Sequence, residues 1–178
     1  MFSLTDKVKL NLHKLIGLKM SRTALAGNMR TLQFGNTEAR KSGGVVGEYA
    51  LHIQCSWRLE SDAGLITGDD DLYVPFEEIH EQEEAFDWGK GGSLQEKILR
   101  EFLKGYDENT RQIVNSTNLL VVDEIHSDSA GGFCLALSGG YRLLVFPNGT
   151  RREAWRLFRP TRDGYPSDER HFVVPSPD

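Results

Sequence analysis

Five histidines, His13, His52, His80, His126 and His171, are the side chains in this 178-residue chain best suited to proton transfer near neutral pH. His52, Gln54 and Arg58 fall at even positions of one alternating run, which puts them on one side of a strand. A sheet face of that kind can line a ligand pocket. For His52 to serve as a base, a second titratable group must come within hydrogen-bond reach. Glu77, His80, Glu81 and Glu84 would share a helical face and offer a divalent metal its ligand types. They lack the pair of histidines one turn apart that zinc requires in the HExxH pattern. Asp69, Asp70 and Asp71 stand in a row, whereas calcium loops alternate ligands with spacers and end on a bidentate Glu. Neither cluster predicts a metal site.

Nucleophiles fare no better. No GxSxG elbow surrounds any serine. Cys55 and Cys134 sit among apolar residues, away from the positive charge that activates a thiol. Two isolated cysteines in apolar strand contexts read as buried thiols, with one long-range disulfide as the alternative, and no CxxC or Cys/His cluster with zinc spacing occurs. The run Gly89-Lys90-Gly91-Gly92-Ser93 leads into a helix but lacks Walker spacing, and its acidic neighbours oppose phosphate. No cofactor is predicted.

Charge is the most uneven property of the chain. The net value of -5 combines a basic first third with residues 59–89, which hold eleven Asp and Glu and no Lys or Arg. Self-repulsion on that scale needs either solvent or a compensating partner. One account is a solvated surface partly balanced by the basic N-terminal third. The other is a docking surface for a basic protein, on which complementary charge speeds encounter and rejects wrong partners. Under the second account the contacts are Asp69, Asp70, Asp71, Glu77, Glu78, Glu81, Glu83, Glu84, Asp87 and Trp88. The acidic balance and a pI of about 5.6 argue against nucleic acid. Arg151, Arg152, Arg156, Arg159 and Arg162 form a local exception that suits a sheet surface paired with acids.

The elements that must position these residues are strands with two helices. Residues 3–17 read as an amphipathic helix with Ser3 as N-cap, Asp6 in the first turn, and Leu4, Val8, Leu12, Leu15 and Ile16 as its apolar stripe. Residues 93–104 read as a second, with Ser93 and Glu96 at capping-box spacing and Gly105 as its stop. Gly27-Asn28 separates two short strands. Residues 45–59 alternate so regularly that they predict one long strand with a buried and a wet face, the mark of an antiparallel sheet. A short strand is expected at 72–74, and six more between 110 and 174 suggest a meander, with hairpins at Gly139-Gly140 and Asn148-Gly149. The expectation is a single α+β domain over 1–178, antiparallel in its sheet, with residues 175–178 frayed.

Composition supports a core without staples: 39% of residues are hydrophobic and 26% charged. No stretch approaches the roughly 18 apolar residues of a membrane span. Residues 1–20 carry charges throughout and no signal-peptide apolar core, so the cytoplasm is the expected compartment.

Leu32-Gln33-Phe34-Gly35, the run from Leu51 to Leu59, Asp71-Leu72-Tyr73, the run from Glu153 to Phe158 and His171-Phe172-Val173-Val174 together resemble a family of small, uncharacterised bacterial proteins. Some bacterial proteins of this general appearance act as immunity proteins that neutralise a toxin. The resemblance implies a bacterial cytosolic binding protein and carries no catalytic residues. Two functions are therefore expected from the sequence. The first is a non-enzymatic protein-binding module of immunity type with a basic toxin as partner. The alternative is a small-ligand- or metal-dependent enzyme on the polar face of the 45–59 strand.

Overall fold

Polar caps start both helices where the sequence places them. In this computed structural model, which describes residues 2–76, 92–161 and 171–175, α1 spans Leu4–Leu12 and continues as a 3-10 turn, His13–Leu15. Ser3 Oγ accepts the Asp6 N–H at 3.1 Å, and the Asp6 carboxylate accepts the Ser3 N–H at 3.1 Å. This reciprocal box satisfies two donors that a helix start would otherwise leave open. Val8, Leu12 and Leu15 are fully buried. Leu4 and Ile16, expected on the same stripe, lie at its margin and remain exposed.

Among the described residues fourteen strands follow, β1 (Met20–Ala26), β2 (Met29–Phe34), β3 (Glu38–Ala39), β4 (Val45–Val46), β5 (Tyr49–Ile53), β6 (Ser56–Ser61), β7 (Gly64–Gly68), β8 (Tyr106–Asp107), β9 (Gln112–Val114), β10 (Val122–Ser127), β11 (Phe133–Leu137), β12 (Tyr141–Phe146), β13 (Trp155–Phe158) and β14 (Phe172–Val174). The second helix, α2 (Leu94–Leu103), precedes β8. Every pairing between the strands is antiparallel. Seven strands form one sheet in the order β14-β13-β5-β2-β1-β9-β8, five form another in the order β10-β11-β12-β6-β7, and β3 and β4 make a separate ribbon. The chain is thus α+β and antiparallel, as its alternation predicted.

Three expectations need correction. The run 45–59 is not one strand: it is divided into β4, β5 and β6, and between Ile53 and Ser56 it leaves the seven-stranded sheet for the five-stranded one. Leu51, Ile53, Cys55, Trp57 and Leu59 all stay buried through the corner. Alternation of inward and outward faces survives a change of sheet, so periodicity could not reveal it. Residues 72–74 do not form a strand. Asp69–Tyr73 is a 3-10 turn held by its own carboxylates, as described below. Asn148-Gly149 does not close a hairpin either, because β12 and β13 belong to different sheets and this connection crosses between them.

One buried cluster joins both sheets and both helices, from Leu12 and Leu103 to Leu51, Trp57, Leu135, Val145 and Trp155. Phe133 of one sheet meets the Trp155 ring of the other edge-on, with centroids 4.8 Å apart. The Trp155 indole N–H donates to the Gly131 carbonyl at 2.8 Å, so this large ring is buried with its one polar atom satisfied. The α2 helix ends at Lys104, left-handed at φ 59°, one residue before the expected glycine. Gly105 is required for a different reason: a Cβ there would lie 2.6 Å from the Val114 carbonyl oxygen.

Candidate functional site

Among the described residues, the exposed large apolar side chains belong to α1 with its flanks, to the chain from β7 to Phe76, and to the end of β12. Leu65 is 66% exposed and Tyr73 59%, with Val74, Phe76 and Phe146 also exposed. Leu65 and Phe146 border a concavity of about 280 Å³ whose other walls include Arg58, Trp57 and the Asp69–Asp71 turn.

Local hydrogen bonding explains the turn. Asp69 Oδ1 accepts the Trp57 N–H at 3.1 Å. Asp71 Oδ2 accepts from Thr67 Oγ1 at 2.8 Å and from the Gly68 N–H at 3.3 Å. Short polar side chains compete in this way for nearby backbone, which favours turns over strands. Gly68 permits the close pass, since a Cβ would stand 2.9 Å from the Trp57 carbonyl oxygen. Past the turn, the Leu94 N–H donates to Val74 O at 2.6 Å and the Phe76 N–H to Gly92 O at 3.3 Å. Phe76 and Gly92 are therefore held side by side at the start of α2.

Each expected contact residue in the described part has a definite position. Asp69 and Asp71 are turned onto the backbone, while Asp70 is exposed. Glu77, Glu78, Glu81, Glu83, Glu84, Asp87 and Trp88 lie outside the described residues, as does the whole Glu77, His80, Glu81 and Glu84 cluster. Glu60 and Asp62, acids of the same region, are taken up by arginines. Glu60 accepts from Arg58 Nε at 2.7 Å and from Arg142 Nε at 3.0 Å, and Asp62 from Arg142 Nη1 at 2.8 Å. Those hydrogen bonds, led by that from Arg142, hold the Glu60 carboxyl below its ordinary pKa.

The polar row expected at His52, Gln54 and Arg58 is divided by the change of sheet. His52, in β5, pairs across the seven-stranded sheet with Arg156 of β13. Its ring meets Phe158 edge-on at 4.7 Å, and Phe158 stacks on His171 at 4.4 Å. Glu153 is gripped by Arg156 at 2.5 and 2.7 Å and also accepts from Gln54 Nε2 at 3.1 Å. Desolvation, with the Arg156 charge nearby, pushes the His52 pKa down to about 4. Arg58, on the other sheet, lies over Phe146 at 5.1 Å and bonds Glu60. The structure thus brings together His52, Gln54, Glu153, Arg156, Phe158 and His171, and it leaves Arg58 with a different set.

Sequence reasoning missed the inward-facing charge of β2. Arg30 is 1% exposed. Its Nε donates to Gln95 Oε1 at 3.1 Å, and its Nη2 makes a second, shorter bond to the same oxygen. Nη1 reaches Thr23 Oγ1 at 3.4 Å, and Nη2 stands 2.6 Å from Glu96 Oε1. Gln95 in turn donates from Nε2 to Gly68 O at 2.6 Å, which ties α2 to the end of β7. Burial pulls the Arg30 pKa down, and Glu96 pulls it back up. Ser93 caps α2 by accepting the Glu96 N–H at 3.3 Å, but the Glu96 carboxylate is committed to Arg30 rather than to the reciprocal half of a capping box. The signal available in the sequence was parity, because Arg30 shares the inward side of β2 with Leu32 and Phe34.

Arg30 and Gln95 form part of the floor of a second concavity, about 190 Å³, where β5 and β6 part. Cys55 and Trp57 line it, and Asn28, Tyr73 and Asn148 stand at its rim. Desolvation pushes the Cys55 pKa up to about 12, so this thiol is a protonated packing group and not a nucleophile. Cys134 is also free, and burial raises its pKa as well.

Among the described residues no three His, Cys, Asp or Glu side chains are grouped to hold a metal ion, and no helix is long and apolar enough to cross a membrane. The fold and these surfaces define an α+β protein of antiparallel sheets with Leu65 and Phe146 exposed beside the Asp69–Asp71 turn. The chain matches no protein-family model, no curated protein and no solved structure.

Proposed function

We propose that this protein is a non-enzymatic binding module that receives a basic protein on the corner formed by β7, the Asp69–Tyr73 turn and the end of β12. The observation carrying this reading is a coincidence of place. Leu65 and Phe146 are exposed on one concavity with the Asp69–Asp71 turn, and Tyr73, Val74 and Phe76 are exposed in the same stretch of chain, residues 59–89, that has eleven acids and no Lys or Arg. Exposed apolar patches of this kind mark interaction sites, and a few buried apolar anchors ringed by polar groups carry most of an interface's energy. Acidic groups around them select a partner of opposite charge and speed its arrival. The likeness to small bacterial proteins, some of immunity type, extends the reading to a basic toxin as partner and the bacterial cytosol as the setting.

Affinity capture from a bacterial lysate tests it. Wild type is compared with Leu65→Ser/Phe146→Ser and with a variant carrying Gln for Glu77, Glu78, Glu81, Glu83 and Glu84. A basic protein recovered with wild type and lost with both variants is the expected result. Equal recovery by all three forms at physiological salt sinks the proposal.

A further inference from the structure

The concavity above Arg30 is distinct from the one beside Leu65 and Phe146, although Ser56, Trp57 and Asp69 line both and Tyr73 belongs to the docking corner as well. It is assembled from five separate segments of the chain. Arg30 comes from β2, Asn28 from the β1–β2 turn, and Gln54 with Cys55 from the corner between sheets. Asp69 and Tyr73 come from the 3-10 turn, Gln95 from α2, and Asn148 from the connection after β12. Convergence of polar groups from so many segments on one small cavity is the usual form of a ligand site.

Its chemistry narrows the ligand. The Arg30 charge is already matched by Glu96 at 2.6 Å, and its N–H groups point to Gln95 and Thr23, so the floor offers no free cation to an anion. The remaining charged group in the lining is Asp69, whose Oδ1 is held by the Trp57 N–H. A phosphate or carboxylate would therefore meet an uncompensated negative charge. The rest of the polar lining is carboxamide and hydroxyl: Asn28, Asn148, Gln54 and Ser56, with no side-chain partner for Asn28 or Asn148 among the described residues. Carboxamides donate and accept at once, which matches hydroxyl groups that do the same. Tyr73, 59% exposed at the rim, supplies an aromatic face for the C–H side of a ring. A volume of about 190 Å³ is smaller than the pockets that hold drug-sized ligands and suits one small ring with its substituents.

We propose that this cleft binds a neutral, polyhydroxylated small molecule of the size of a single sugar ring, with Asp69, Asn28 and Asn148 hydrogen-bonding its hydroxyls and Tyr73 covering its ring. Glu96 acts one step behind, neutralising the Arg30 charge, while Gln95 lines the floor and holds the Arg30 guanidinium in place.

Nuclear magnetic resonance of the full chain tests this with D-glucose, D-galactose, D-mannose and myo-inositol as neutral probes and inorganic phosphate as the anionic control, each at millimolar concentration. The expected result is a saturable shift of the Asn28, Gln54, Gln95 and Asn148 side-chain amides and the Trp57 indole with at least one neutral probe and none with phosphate. Asn28→Ala/Asn148→Ala should weaken that binding about tenfold, as loss of two hydrogen bonds would. Tyr73→Ala should weaken it too, and serves alone if the double variant misfolds. Leu65→Ser/Phe146→Ser, which disables the docking corner, should leave it unchanged. No saturable shift with any neutral probe, shifts with phosphate instead, or equal affinity in the rim variants would overturn the assignment.

Discussion

Two arginine–carboxylate networks in this molecule use the same chemistry in opposite settings. Arg30 and Glu96 meet inside the core, with side chains 1% and 9% exposed. Arg142 and Arg58 share Glu60 on the outer face of the five-stranded sheet, with Arg142 39% exposed. The outer network loses little when a partner is removed, because water replaces it and salt screens what is left. The inner one has no such replacement. Desolvating two charges costs several kcal/mol per ion, and removing one partner strands the other in the core. The buried network is thus a commitment to one arrangement of β2, α2 and β7, whereas the surface network trims an arrangement already made.

That contrast can be broken most forcefully at Arg30. Arg30→Met should destabilise the fold by about 3–5 kcal/mol, measured by urea unfolding, because Glu96 is left buried and unpaired. Arg30→Met/Glu96→Leu should recover most of the loss, and a double variant no more stable than the single one would show that the pair is not the source of the cost. Asp71→Ala comes next. It removes two hydrogen bonds at the 3-10 turn and should cost about 1–2 kcal/mol in the same assay.

Acid sharpens the comparison further. The folded His52 pKa, about 4, lies below its ordinary 6.5, so the unfolded chain binds more protons between these values. The contribution of His52 is fully present above pH 6.5 and is lost as pH falls towards 4. His52→Gln should flatten that limb of the stability–pH profile. Glu60 has the same sign at lower pH, since its folded pKa is held down: its contribution is present above the ordinary carboxyl value and lost as pH falls through the folded one. Glu60→Gln should give the smallest change of the series, and raised salt should erase it while leaving the Arg30→Met deficit intact.

Much of the fold was readable from pattern. Ser3 and Ser93 marked both helix starts, Gly27-Asn28 and Gly139-Gly140 marked two hairpins, and alternation marked the antiparallel sheets. What escaped follows from the limits of those signals. A period of two states which side of a strand is buried and not which sheet the strand belongs to, so the corner at Gln54 and Cys55 was invisible and Arg58 was grouped with His52. The Asp69–Asp71 run looked like free charge because its bonds to Thr67, Gly68 and Trp57 depend on how β6 and β7 pair. Glu153, Arg156, Phe158 and His171 join His52 through strands that lie about a hundred positions later in the chain, a proximity no local spacing encodes.

That late pairing has a kinetic consequence. β5 is bordered on one side by β2 and on the other by β13, so its second row of backbone groups stays open until Trp155 to Phe158 have been made and delivered. β1 likewise waits for β9, and β6 for β12. Chains dominated by such distant partners pay loop-closure entropy before contacts reward it, and they fold in milliseconds to seconds. During synthesis, Tyr49 to Ile53 therefore form an unfinished edge, the period when this chain is most open to pairing with the wrong strand.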